Sequence, residues 1–118
     1  MLAPWCERES AEELVVELGR EALAWWPERH EGTVRRGSLV VAQQRDVPDL
    51  ERFARRTRGF ERIAGERLAE LEPDLAGRFT TGLYFAEEAH LDPRAALRSL
   101  AHRLERLGGE IRFGIDAD

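Results

Sequence analysis

The sequence predicts an α+β (mixed α/β) fold: a small antiparallel β-sheet packed with about four helices, plus a C-terminal helix-strand unit. Three observations carry this prediction. Two short runs rich in aliphatic and aromatic residues, 38–43 and 79–86, read as strands, and two helical patterns lie between them. The stretch from Pro93 to Leu107 repeats Leu97, Leu100, Ala101, Leu104 and Leu107 at helical spacing. At 118 residues with 42% hydrophobic composition, the chain is long enough for one core and is expected to form a single domain over residues 1–118.

Taken in order, residues 1–9 (MLAPWCERE) are short and without period. An apolar Met1-Leu2-Ala3-Pro4-Trp5 is unusual at a chain end, where fraying is the default expectation. A helix is expected from Ser10, because Ser10 and Glu13 have the spacing of a capping box. Leu14, Val15, Leu18, Ala22, Leu23, Trp25 and Trp26 give it an apolar stripe, and Pro27 ends it. Of the two adjacent tryptophans, one is expected to anchor the core and the other to cover the helix end or meet a partner.

Residues 33–43 form the first strand region, with Gly37 marking a bulge or a close backbone approach. A helix over 47–58 carries Pro48 in its first turn and Leu50, Phe53 and Ala54 on its inner face. A shorter helix is expected over 61–72, holding Ile63, Leu68 and Leu71 and stopped by Pro73. The strand over 79–86 is expected to pair antiparallel with 38–43, the two intervening helices covering one face of the sheet. Within it Gly82 allows close packing, and Tyr84 and Phe85 are core and sheet-face residues. Asp92 is an N-cap and Pro93 a first-turn proline for the next helix, which Gly108 terminates. That helix is expected to lie across the sheet. A last strand over 110–115, with Glu110 and Ile115 at its ends, then needs neighbours.

Charge and composition exclude several function classes. A net charge of −5 argues against a nucleic-acid surface, and the local run of Arg35, Arg36, Arg45, Arg52, Arg55, Arg56 and Arg58 is interleaved with acids as a solvated face. No run of about 18 apolar residues marks a membrane span, and no basic-then-apolar start marks a secretory signal. One cysteine, Cys6, agrees with a reducing compartment, and the expected location is the cytoplasm.

The residues that carry chemistry are sparse. His30, His90 and His102 stand at no ligand spacing from one another or from Cys6. Glu87, Glu88, His90 and Asp92 could hold a divalent ion, but read better as a polar strand end leading into a helix cap. Glu87 and Glu88, adjacent on a strand, point to opposite faces and are no carboxylate pair. No nucleophile has a base beside it, and there is neither a GxGxxG nor a phosphate loop. No catalytic residue and no metal site are assigned.

The order of these pieces resembles FAD-dependent amine and amino-acid oxidases of the D-amino-acid oxidase superfamily, nearest the glycine oxidase-like members. Met1-Leu2-Ala3-Pro4 with Glu7 resembles the family's (A/G)-G-M-L segment, which runs beside the flavin. Arg36-Gly37-Ser38-Leu39-Val40-Val41-Ala42 resembles its x-G-G-M/L-x-(V/L)-A strand, and LAELEP (68–73) its L-x-x-x-E-P helix end. GLYF (82–85) through HLDP (90–93), then LERLGGEI (104–111), resemble G-(A/L)-x-F-x-x-(D/E)-(A/G)-x-(V/L)-(D/E)-P and L-x-x-x-G-(A/V)-x-I.

The resemblance spans essentially the whole chain and implies an internal piece of such an oxidase. The glycine-rich FAD-binding unit would precede it, and the substrate-carboxylate clamp would follow. It implies Met1 and Leu2 as flavin-proximal residues, Glu7 as substrate-proximal, and FAD as the cofactor of the parent protein, with none bound by this chain alone. The parent would oxidise the C–N bond of a small-molecule amine or amino acid by hydride transfer to flavin, with O2 as acceptor. The isolated chain would not be catalytic; the alternative is a stand-alone protein-interaction module. Self-association is expected through exposed apolar surface, including Trp5, Trp25 and Trp26, or through the orphan strand at 110–115.

Overall fold

The architecture described here is that of a computed structural model covering residues 1–8 and 12–115. Helix α1 runs over Glu13–Trp25, strand β1 over Ser38–Val41, helix α2 over Val47–Arg56, and strand β2 over Glu61–Ala64. Helix α3 (Gly65–Leu71), strand β3 (Thr81–Phe85) and helix α4 (Pro93–Arg106) follow. Single 3-10 turns at Gln44–Asp46 and Pro73–Leu75 lead into α2 and out of α3. Four helices with a three-stranded antiparallel sheet make the α+β fold that the sequence predicts. Ser10 lies outside the described residues; Glu12 occupies the N-cap position of α1 without a side-chain cap bond.

Strand β3 is central, flanked by β1 and β2. It pairs with β1 from Ser38 opposite Phe85 to Val41 opposite Gly82, the antiparallel pairing expected from the two apolar runs. Its other edge holds β2, with Ile63 opposite Gly82 and Arg62 opposite Leu83. Residues 61–64 are therefore the start of a strand and turn rather than of a helix. Their single buried side chain, Ile63, is enough to place a short edge strand, and edge position outweighs the helix propensity of Glu, Arg and Ala. Tertiary pairing is reinforced by Arg62, whose guanidinium grips the Glu51 carboxylate of α2 at 2.6 and 2.8 Å.

Alternation along β3 sorts the packing. Leu83 and Phe85 are fully buried and join Trp5, Val16, Leu50, Phe53 and Ala54 in one cluster, with Val40 of β1 packed against it. Phe53 and Phe60 meet the Phe85 ring at centroid distances of 6.3 and 5.8 Å, in tilted geometry that aromatic pairs favour. Gly82 and Ile63 face the other way, where α3 lays the fully buried Leu68. Helices α2 and α3 thus cover opposite faces of the sheet, not a common one. Gly37, at φ +78°, makes the close approach expected of it: a Cβ there would stand 2.8 Å from the Phe85 carbonyl oxygen.

Two expectations fail at the ends of the fold. Trp25 and Trp26 stack edge-to-face on each other at 5.0 Å, with Trp25 40% exposed, and neither enters the core. The core tryptophan is Trp5, which is 8% exposed. Helix α4 is capped as predicted, Asp92 Oδ1 accepting from the Arg94 and Ala95 amides at 2.8 and 3.1 Å. It does not lie across the sheet, however: Ala96 is its one buried residue, and Leu97, Leu104 and Leu107 are exposed. The molecule is correspondingly elongated, at 53 × 29 × 24 Å. Its radius of gyration is 18.0 Å, against about 13–14 Å for a compact chain of this length. Residues 110–115 form no strand, since α4 carries them away from both sheet edges, and Phe113 and Ile115 stand exposed.

Candidate functional site

The first eight residues are pinned rather than frayed. Leu2 and Ala89 exchange both backbone hydrogen bonds, at 2.8 and 3.0 Å, as an isolated antiparallel bridge. Next to it, the Trp5 and Cys6 amides both donate to Glu88 Oε1 at 3.0 Å. The Thr57 hydroxyl donates to the Trp5 carbonyl at 2.7 Å. Pro4 lies against Gly19 of α1, where a Cβ would come within 2.9 Å of Pro4 Cβ; glycine is what lets the helix sit this close. Arg8 pairs with Glu13 at 2.9 Å and ties the segment to the start of α1.

This arrangement gathers the three residues singled out from sequence. Met1, Leu2 and Glu7 line one hollow of about 110 Å³ together with Ala3, Pro4, Val15, Val16 and Gly19. Met1 is exposed and Leu2 half-buried, so the hollow has an apolar lip with the Glu7 carboxylate nearby. A larger open cleft, about 590 Å³, is lined by Trp5 with Arg20, Arg35 and the acidic residues Glu17, Glu21 and Glu87. The guanidinium groups of Arg20 and Arg58 stand 5.5 and 5.0 Å from the Trp5 ring centroid. Both distances are within cation–π range.

The acidic quartet after β3 is divided. Glu88 is fully buried and Glu87 exposed, but both lie beyond the end of β3 at Phe85, in the turn that follows it, rather than on the strand the sequence suggested. Glu88 Oε1 is committed to the two amides and Asp92 Oδ1 to its helix cap. Among the described residues no three His, Cys, Asp or Glu side chains come together to hold a metal ion. Burial pushes the Cys6 thiol up, and the neighbouring Glu88 carboxylate pushes it the same way, so Cys6 is held as a thiol and not as a nucleophilic thiolate.

Sequence reasoning missed Glu88 as the anchor and Trp5 as a core residue. The available signal was the apolar start itself: five residues with one polar neighbour make sense at a terminus only if something buries them. Nothing in the spacing pointed to an acceptor more than 80 residues away.

The family described as FAD dependent oxidoreductase (DAO) matches this chain over residues 1–118. A protein of Rhizobium etli carrying the name "Putative thiamine biosynthesis oxidoreductase ThiO" is 56% identical to it over 116 residues, which is 98% of this chain and 36% of the relative. The chain therefore spans about a third of that relative's length. No solved structure matches it. Among the described residues no helix is long and apolar enough to cross a membrane.

Proposed function

The chain belongs to the FAD dependent oxidoreductase (DAO) family, and on that footing we propose that it forms one domain of an enzyme that oxidises the C–N bond of an amino acid or related amine. The observation that carries this reading is the 56% identity to the Rhizobium etli relative over nearly the whole chain. We extend that relative's thiamine-biosynthetic role to this chain, and with it a cytoplasmic location. Bound FAD supplies the two-electron acceptor: the carbon bearing the amine gives up a hydride and the nitrogen a proton, a C=N bond remains, and O2 takes the electron pair to become H2O2.

The residues present suit one edge of the flavin and no more. Met1 and Leu2 offer an apolar lip that can lie against a flat ring and keep water from it, on a backbone fixed by Ala89 and Glu88. A hollow of about 110 Å³ cannot enclose a dinucleotide, since pockets for ligands of even drug size run to about 300–1,000 Å³. No glycine-rich phosphate turn opens a helix among the described residues. Glu7, beside the same hollow, would draw an ammonium group toward the lip. The chain alone then neither retains FAD nor turns over an amine.

A chimera tests the reading: this chain replaces the matched third of the Rhizobium etli relative. The purified chimera is expected to keep a yellow flavin band between about 300 and 550 nm and to release H2O2 with glycine, sarcosine or a D-amino acid. The separate 118-residue chain, incubated with FAD and desalted, is expected to be colourless. A folded chimera that holds flavin but oxidises no amine would sink the proposal.

The second reading, a stand-alone interaction module, is favoured by one observation. Val15, Leu18, Ala22 and Trp25 on α1, and Leu97, Leu100, Leu104 and Leu107 on α4, repeat at three- and four-residue intervals, and most of these side chains are exposed. Stripes of this kind self-associate or meet a partner.

A further inference from the structure

Glu88 is the one fully buried charged residue among the described residues, and the proposed reaction gives it no chemical step. Its surroundings are unusual for a residue that only fills space. Oε1 takes two consecutive amides, Trp5 and Cys6, each at 3.0 Å, from residues 83 and 82 positions away. Oε2 is buried without a hydrogen-bond partner. The backbone of the same residue accepts from the Gly37 amide at 2.9 Å and donates to the Phe85 carbonyl at 3.2 Å, and its neighbour Ala89 makes the bridge to Leu2. One residue thus joins the end of β3, the entry to β1 and the N-terminal segment.

A carboxylate taken out of water is costly, and the two amide donors on Oε1 offset part of that cost. An apolar side chain could fill the same volume without the cost, but it could not set the direction of the two amides. Trp5 and Cys6 lie between the lip formed by Met1 and Leu2 and the Glu7 carboxylate, so the orientation of those amides determines where all three point.

We propose that Glu88 is a positioning residue, whose carboxylate fixes the placement of residues 1–7 and so the distance of Met1, Leu2 and Glu7 from flavin and substrate. This rests on the reading of that segment as the flavin-facing lip. It assigns Glu88 no contact with substrate or cofactor; it acts through the Trp5 and Cys6 amides.

Two variants and two readouts test it. Glu88→Gln keeps the shape and one acceptor but loses the charge, and Glu88→Ala removes the anchor. In the 118-residue chain, the Trp5 and Cys6 amides are expected to exchange with deuterium roughly tenfold or more faster in Glu88→Ala than in the parent, with Glu88→Gln between them, as loss of charge-assisted bonds of this kind implies. Where Glu88→Ala fails to fold, Glu88→Gln alone decides. In the chimera, Glu88→Gln is expected to retain flavin, to shift its visible absorption band, and to lower kcat with KM nearly unchanged. Parent-like exchange at both amides in a folded variant overturns the anchoring role. Faster amide exchange with an unshifted flavin band and unchanged kcat overturns the link to the cofactor. If the chimera with Glu88 intact binds no flavin, the functional reading itself falls and takes that link with it, while the amide exchange rates still decide the anchor.

Discussion

Leu68 of α3 occupies the space that Gly82 of β3 leaves by having no side chain. A Cβ on Gly82 would stand 3.0 Å from Leu68 Cδ1 and 3.2 Å from the Val40 carbonyl oxygen, and Leu68 is fully buried. The leucine end can shift a little, but the Val40 carbonyl belongs to a paired strand and cannot. Gly82→Ala is therefore expected to destabilise the chain by about 1–3 kcal/mol, and Gly82→Val by more. Urea unfolding followed by tryptophan fluorescence measures this as a lower midpoint; an unchanged midpoint for both variants would refute the close packing.

The exposed seam of α4 predicts concentration-dependent association. Leu97 is 66% exposed and Leu107 77%, on a helix that buries only Ala96. Light scattering after size exclusion should show mass rising with loading concentration, and Leu97→Lys with Leu104→Lys should return the chain to monomer. Monomer at every concentration for the parent chain would remove the case for an associating surface.

Stability should respond to pH at two ends through two different residues. Hydrogen bonds from the Ala95 and Arg94 amides hold the Asp92 carboxyl below its ordinary range. The unfolded chain then binds the proton more readily, so this contribution is complete above about pH 4 and is lost as pH falls through the lower folded value. Helical circular dichroism should fall in that acid window, and Asp92→Asn, which caps without titrating, should lose that part of the dependence. At the alkaline end the folded Cys6 thiol holds its proton longer than the unfolded one. Stability is thus unaffected well below the unfolded thiol's pKa, about 8.5, and declines as pH rises past it. Cys6→Ser should flatten that decline; equal alkaline slopes for the two proteins would contradict it.

The parts of the fold legible in the sequence were those whose local pattern matches their final surroundings. Val40 and Leu83, opposite one another in the sheet, both sit in short apolar runs, and Asp92 and Pro93 mark their helix start whatever lies nearby. Residues 61–64 were misread because Glu61, Arg62 and Ala64 favour a helix locally, and only the free edge of β3 makes them a strand. The position of α4 was unreadable for a different reason: a leucine stripe looks the same whether it meets a sheet or water. Of the candidate site, the apolar start was visible as an anomaly. Its solution was not, because a single carboxylate has no periodicity to betray which distant amides it will meet.

The bond between Trp5 and Glu88 also sets an order of events. Residues 1–5 are made well before their partners, since neither Leu2 nor Trp5 can be seated until residues 88 and 89 have emerged. Closing so long a loop is slow and entropically unfavourable, so the apolar residues 1–5 remain uncovered until residues 88 and 89 are available. Strand β3, to which both β1 and β2 pair, ends just before Glu88, so the sheet and the seating of residues 1–5 become possible almost together.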